Sequence, residues 1–192
     1  MVQFLAGSRL FTGDAIIEGQ AIALDGGVIA GLVAEADVPA GSATVRLPAG
    51  SLLAPGFIDV QANGAGGVLF NGDPGEETVL RMAEALRRFG CTGLLPTLIT
   101  DRPEATAAVI DAATRAIGTP GFLGLHLEGP HLDPRRKGAH DPALIRPMTP
   151  EDLTRLCDAA RILPVLMVTL VRDHGLQYLL AATVLAGLIQ IG

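Results

Sequence analysis

From Leu52 onward, short apolar runs alternate with segments that carry helix start and stop signals, and this alternation constrains the fold more than any other feature. Strands that are apolar on both faces and separated by helices form a parallel sheet covered by helices. The sequence therefore predicts an α/β fold. The predicted strands begin near Phe57, Leu94, Phe122, Leu163 and Leu188.

The segments between these strands predict four helices. Asp73 is the expected cap of the first helix, and Thr149 begins the polar cap of the third. A closed (β/α)8 barrel takes about 250 residues. Residues 53–192 are therefore expected to form about the first half of such a barrel. The predicted helices cover residues 74–89, 101–117, 149–160 and 173–186.

Residues 1–52 have a different pattern, in which brief apolar runs are joined by turns. The sequence Asp-Gly-Gly at residues 25–27 predicts a hairpin turn. About 50 residues with few large side chains would be marginally stable alone. We therefore expect a small, separate β-sheet domain that takes partner strands from elsewhere.

The charge and cysteine content exclude some classes of function. The chain has 14 basic and 20 acidic residues, a balance that argues against a nucleic-acid partner. Cys91 and Cys157 are expected to be thiols in a reducing cytoplasm, and the first residues lack an export signal. The uncharged residues 175–192 contain several polar side chains, so they predict a buried helix and strand instead of a membrane span.

Polar residues cluster where two of the predicted strands end. Gln61 and Asn63 alternate after Asp59, and they could form a binding site or a hydrogen-bonded cluster that supports a loop. His126 and Glu128 should point to the same side of their strand, where such a pair could hold a cation. The alternative for this pair is a hydrogen-bonded core histidine and a glutamate that caps the next turn.

An unusually long polar loop follows the His126–Glu128 strand. Its basic run at residues 135–137 and His140 could meet an anionic or hydroxylated ligand, or could form a solvated charged surface.

Taken together, these segments resemble the N-terminal half of the N-acetylglucosamine-6-phosphate deacetylases, which belong to the amidohydrolase superfamily. The resemblance rests on residues 55–64 (PGFIDVQANG), residues 126–130 (HLEGP) and residues 137–140 (KGAH). Residues 90–93 (GCTG) with the Pro-Thr pair at 96–97 fit the second strand of that family.

The resemblance implies a (β/α)8 barrel with a small β-sandwich that is assembled from both chain ends. It also implies a homodimer that removes the acetyl group of N-acetylglucosamine 6-phosphate, giving glucosamine 6-phosphate and acetate. A divalent metal ion, commonly Zn2+, would polarise the amide carbonyl and lower the pKa of bound water.

Residue roles follow from the same resemblance. Glu128 matches the carboxylate ligand of the metal, and His140 matches a histidine that contacts the sugar. Gln61 and Asn63 stand where many other amidohydrolases have an H-x-H metal pair, which implies one metal ion instead of two. His126 is expected either to line the pocket or to orient a ligand of the metal.

The remaining parts of the family's site are expected beyond residue 192, including two metal-binding histidines and the catalytic aspartate. His131 and His174 do not match ligand positions, so the chain alone is expected to be inactive. Two alternatives are a dihydroorotase-like or allantoinase-like amidohydrolase and a non-catalytic half barrel that serves only as an assembly partner.

Overall fold

The computed structural model describes residues 2–170. The predicted fourth helix, the strand predicted from Leu188 and His174 lie outside the described residues. The chain divides into two compact units, one that ends at Pro55 and one that begins at Gly56. Mixed sheets in the first unit and a helix-covered parallel sheet in the second give the α/β fold that the sequence predicts.

The first unit is built from seven short strands in two sheets. One sheet has the order β5-β4-β1-β6 and the other the order β3-β2-β7. Gly26 and Gly27 have φ values of +58° and +84° and turn the chain between β4 and β5, which confirms the predicted hairpin. The strands are β1 (Gln3–Ala6), β2 (Arg9–Phe11), β3 (Ile16–Ile17), β4 (Gln20–Asp25), β5 (Val28–Ala34), β6 (Ala43–Arg46) and β7 (Leu52–Leu53).

The second unit contains a four-stranded sheet with the order β13-β12-β11-β8, in which every neighbouring pair is parallel. Two short strands, β9 and β10, form a hairpin after β8. The elements are β8 (Phe57–Ala62), β9 (Gly64–Ala65), β10 (Val68–Leu69), α1 (Glu76–Arg87), β11 (Cys91–Ile99), α2 (Pro103–Arg115), β12 (Leu125–Glu128), α3 (Pro150–Ile162) and β13 (Leu166–Thr169).

The main hydrophobic core lies between this sheet and its helices. Leu125 and Leu127 of β12 belong to it, together with Val79 and Met82 of α1 and Val109 of α2. Each of these side chains is at most 2% exposed. Burial of apolar side chains of this size is worth about 1.5–3 kcal/mol each. The parallel sheet is therefore fixed against the helices by one face of β12.

The helix starts agree only in part with the prediction. At α3, Thr149 and Asp152 form a reciprocal capping box, which confirms the predicted polar cap. At α1 the predicted cap is wrong: the helix begins at Glu76, and Gly75 occupies the cap position with no side-chain hydrogen bond. Asp73 therefore lies two residues before the cap position that its side chain was expected to fill.

An ion pair fastens the long loop after β12 to α3. Arg146 donates two guanidinium hydrogen bonds to the Asp152 carboxylate, and its backbone N–H donates to the Pro130 carbonyl at 3.1 Å. Arg146 and the Thr149 cap together hold the pKa of Asp152 well below its usual range. Both ends of the loop are thereby fixed beside the carboxyl end of β12.

Two further sequence predictions concern the cysteines and the membrane. Both cysteines are free; Cys91 is buried and Cys157 is partly buried. Within residues 2–170, no helix combines the length and the apolar character that a membrane crossing requires.

Replacing Asp152 with Asn should lower the free energy of unfolding by about 2 kcal/mol, because Arg146 loses its charged partner while the cap can persist. Asp158→Asn is the matched control, since its pair with Arg161 is largely exposed and should contribute less than about 1 kcal/mol. Urea denaturation of both variants measures the difference in the free energy of unfolding.

Because the folded-state pKa of Asp152 is lowered from 3.8, its contribution to the free energy of unfolding should be complete above about pH 4 and decline below it. Equal losses of stability in Asp152→Asn and Asp158→Asn would contradict a stabilising role for the pair of Arg146 and Asp152.

Candidate functional site

The register of the parallel sheet places three residues in one row at its carboxyl end. Ile99 of β11 pairs with Glu128 of β12, and Glu128 pairs with Thr169 of β13. All three line a cleft with a volume of about 480 Å3. Parallel α/β sheets bind their ligands at this end of the strands. The cleft is therefore the candidate site.

Four residues that were singled out in the sequence meet in this cleft. They are Gln61, Asn63, Glu128 and His140, which come from three separate segments of the chain. Asn63 follows β8 directly, and its amide nitrogen is buried with no hydrogen-bond partner among the described residues. A buried donor without an acceptor is costly, so this nitrogen is a candidate contact for a ligand oxygen.

His126 lies beside this cleft without lining it. Its ring is 1% exposed and is held between Thr97 Oγ1, at 3.3 Å from Nδ1, and Thr169 Oγ1, at 2.8 Å from Nε2. Burial lowers the pKa of His126, although the nearby Glu128 charge acts in the opposite direction. A neutral imidazole between two hydroxyl groups is suited to holding β11, β12 and β13 in register.

His140 reaches the cleft from the loop that follows β12. Its Nδ1 atom lies 2.7 Å from Thr100 Oγ1, and its Nε2 atom lies 3.8 Å from Glu128 Oε1. The second distance is too long for a hydrogen bond. The side chains of His140 and Glu128 are 11% and 20% exposed, so both remain accessible from the cleft.

The basic residues of the loop divide into two groups. Arg136 and Lys137 line the same cleft as Glu128. Arg135 instead pairs with Asp133 at 3.0 Å, and this contact lowers the pKa of the Asp133 carboxyl. The cleft thus has a carboxylate, an imidazole and cationic side chains along its lining, a combination that suits a polar ligand with an anionic group.

Two other polar residues considered in the sequence, Asp59 and His131, lie outside the lining of the cleft. Asp59 does not line the cleft, and its carboxylate accepts a hydrogen bond from the Gln61 backbone N–H at 3.0 Å. His131 lies beside α3, with Nδ1 3.1 Å from the Arg146 carbonyl and Nε2 3.8 Å from Asp152 Oδ2. Burial lowers the pKa of His131. Neither residue contributes a side chain to the lining.

Sequence reasoning missed Thr100 and Thr169. Thr169 is the last residue of β13, and Thr100 comes directly after β11. A hydroxyl residue at the carboxyl end of an apolar strand is the signal that could have identified both. Their partners are 40 and 43 residues away in sequence, so the contacts themselves could not be read from spacing.

A metal ion was expected here, and the donor set fits that expectation in part. Glu128 supplies a carboxylate at the cleft, which is a suitable ligand for a divalent cation. Within residues 2–170, however, no three His, Cys, Asp or Glu side chains are grouped closely enough to bind one. The described part of the chain therefore does not supply a complete set of three such ligands.

Comparisons with known proteins give consistent relatives, although no family model matches the chain. An N-acetylgalactosamine-6-phosphate deacetylase of Shewanella sp. (strain ANA-3) is 43% identical over 147 residues, which are 74% of this chain and 37% of the relative. An N-acetylglucosamine-6-phosphate deacetylase of Haemophilus influenzae is 36% identical over 151 residues, which are 78% of this chain and 39% of the relative. The chain thus spans about two fifths of the length of these relatives.

A solved structure supports the same relationship. The crystal structure of N-acetylglucosamine-6-phosphate deacetylase from Pasteurella multocida matches with a TM-score of 0.81 and 33% sequence identity. The match covers 86% of this chain and 44% of that protein.

Gly129→Ala should lower the free energy of unfolding by about 3 kcal/mol or more. A methyl group at this position would overlap Thr100 Oγ1, and the backbone has a φ of +83°. Gly138→Ala is the control, because its φ is +56° but no atom lies within 4 Å of the added methyl group, so it should cost about 1 kcal/mol. Urea denaturation measures both values. If the two variants lose the same stability, Thr100 is not packed against Gly129 as described.

Proposed function

We propose that this chain, which is related in sequence and fold to the N-acetylglucosamine-6-phosphate deacetylases, contributes to amide hydrolysis in a protein of the relatives' length. The reaction would convert N-acetylglucosamine 6-phosphate and water into glucosamine 6-phosphate and acetate. The observation that carries this proposal is the cleft at the carboxyl end of the parallel sheet, where Glu128 and His140 meet.

The fold proposal that accompanies this function is a partial (β/α)8 barrel. In it, β8, β11, β12 and β13 are successive barrel strands, residues 53–192 are about the first half of the barrel, and residues 1–52 belong to a small β-sandwich domain. Four parallel strands joined by helices support it.

Glu128 is the residue that would hold one divalent cation, which the family resemblance identifies as Zn2+. When bound, such an ion supplies Lewis acidity at the amide carbonyl. A catalytic zinc site normally has three protein ligands. Since the described residues offer one of them, we propose that residues 1–192 alone do not deacetylate the substrate efficiently.

The other cleft residues would bind the sugar phosphate. His140 is proposed to accept or donate a hydrogen bond at a sugar hydroxyl group. The buried amide nitrogen of Asn63 needs an acceptor, and a substrate oxygen would supply one. Gln61 would add a second amide, and the positive charges of Arg136 and Lys137 suit a phosphorylated ligand.

One observation favours a second substrate. The N-acetylgalactosamine-6-phosphate deacetylase shares 43% identity with this chain, against 36% for the Haemophilus enzyme over a segment of similar length. The two sugars differ only in the configuration of one ring hydroxyl group, so the same cleft chemistry would serve either one. Parallel assays with both sugar phosphates distinguish the two candidates.

Other parts of the proposal concern assembly. Phe57 and Ile58 of the edge strand β8 are 72% and 60% exposed, so this strand has apolar surface that a further element could cover. This exposure also suits the alternative of a non-catalytic half barrel that serves as an assembly partner. A homodimer and a cytoplasmic location remain predictions from the family resemblance and the sequence.

The test uses a version of the protein that has the full length of the relatives. Glu128→Gln should remove most of the bound metal and nearly all turnover, because a neutral amide is a poor ligand compared with a carboxylate. His140→Asn should leave the metal content unchanged and raise KM, since its proposed contact is with the sugar. Metal analysis and steady-state kinetics measure these effects.

Unchanged zinc content and rate in Glu128→Gln would contradict the assignment of this residue. Metal loss in His140→Asn would show that the histidine has a different role from the one proposed.

A further inference from the structure

Thr100 connects the two central residues of the cleft, although it does not line the cleft itself. It is 6% exposed and follows β11 directly. Its Oγ1 atom lies 2.7 Å from His140 Nδ1 and 3.4 Å from the backbone carbonyl oxygen of Glu128. One buried hydroxyl group therefore contacts both the imidazole and the strand end that carries the carboxylate.

The direction of these hydrogen bonds follows from the chemistry of the partners. A backbone carbonyl only accepts, so the Thr100 hydroxyl donates its single proton to the Glu128 carbonyl. Thr100 Oγ1 then accepts from His140, which requires a proton on Nδ1. In a neutral imidazole the Nε2 atom is then an acceptor.

The Glu128 carboxylate favours the opposite arrangement. His140 Nε2 lies 3.8 Å from Glu128 Oε1, and a negative charge at that distance stabilises a proton on Nε2. Without Thr100, the neutral His140 ring would therefore carry its proton on Nε2, on the side of the Glu128 carboxylate. The contact between Thr100 Oγ1 and His140 Nδ1 opposes this arrangement.

We infer that Thr100 is a positioning residue that holds the proton of neutral His140 on Nδ1 and presents the Nε2 lone pair to the cleft. The Nε2 lone pair then faces the same cleft as the Glu128 carboxylate. A ligand hydroxyl group can donate to Nε2 without first displacing a proton. This consequence for sugar binding rests on the proposed function, whereas the position of the proton does not.

The packing around Thr100 supports a fixed orientation. Gly129 leaves no room for a side chain next to Thr100 Oγ1, so this hydroxyl is closely packed against the chain that leads out of β12. A closely packed β-branched side chain has few alternative rotamers. Thr100 can therefore select one ring orientation of His140.

The experiment measures the tautomer of His140 directly in the 192-residue chain. Protonated and unprotonated ring nitrogens have well separated 15N chemical shifts, and the chain has only four histidines, so His140→Asn suffices to assign the signals. Spectra are recorded at about pH 8.5, where free imidazole is neutral. The expected result is a proton on Nδ1 in the wild-type chain.

Thr100→Val removes the hydroxyl group with little change in shape and should reduce the ratio of the Nδ1–H to the Nε2–H form by roughly five- to tenfold. Thr100→Ser should restore the wild-type ratio. Thr106→Val is the matched control, because its hydroxyl is also buried but contacts the Arg102 carbonyl instead of a histidine.

A proton on Nε2 in the wild-type chain would overturn the inference, and this outcome does not depend on whether any variant folds. An unchanged ratio in a folded Thr100→Val variant would overturn it as well. Neither result depends on deacetylation, so failure of the proposed function would be seen separately in the kinetic assays.

Discussion

The alternation of side chains along β12 is the constraint on which the rest of the second unit depends. Leu125 and Leu127 pack into the core beneath the helices. His126 and Glu128 alternate with these two leucines along the strand. His126 contacts Thr169, and Glu128 lines the cleft. A shift of one residue in the pairing of β12 would exchange these two sets and place a carboxylate in the apolar core. The same contacts that stabilise the sheet therefore orient the candidate site.

The loop after β12 supplies further side chains of the candidate site, including His140. It leaves the strand at Gly129, passes through the basic segment and His140, and is fastened to α3 by Arg146 and Asp152. Between these ends, the imidazole of His140 returns to within 3.8 Å of the carboxylate. The buried Thr100 hydroxyl contacts Nδ1 of this ring at 2.7 Å. The geometry of the cleft is thus produced by long-range contacts to a loop that contains a short 3-10 helix at Pro134–Arg136.

Sequence reasoning predicted the parts of this arrangement that depend on local periodicity. The parallel sheet, the hairpin in the first unit and the polar cap of α3 each follow from short patterns, and the structure confirms them. The cap of α1 was predicted wrongly, because Gly75, without a capping side chain, occupies the position expected for Asp73. Thr100 and Thr169 were not predicted, since their roles depend on partners 40 and 43 residues away. The side-chain roles in the cleft, including those of Gln61, Asn63 and His126, remain proposals.

The central proposal is that the Glu128 carboxylate, which lines an accessible cleft, binds a divalent cation once the remaining ligands are present. Paramagnetic broadening by Mn2+ in NMR spectra of a version of the protein that has the full length of the relatives tests this proposal directly, because the effect decreases steeply with distance from the bound ion. The signals of Glu128, His140 and Thr169 are expected to broaden first as Mn2+ is added. Broadening that is centred on other acidic residues, while the signals of Glu128 stay sharp, would contradict it.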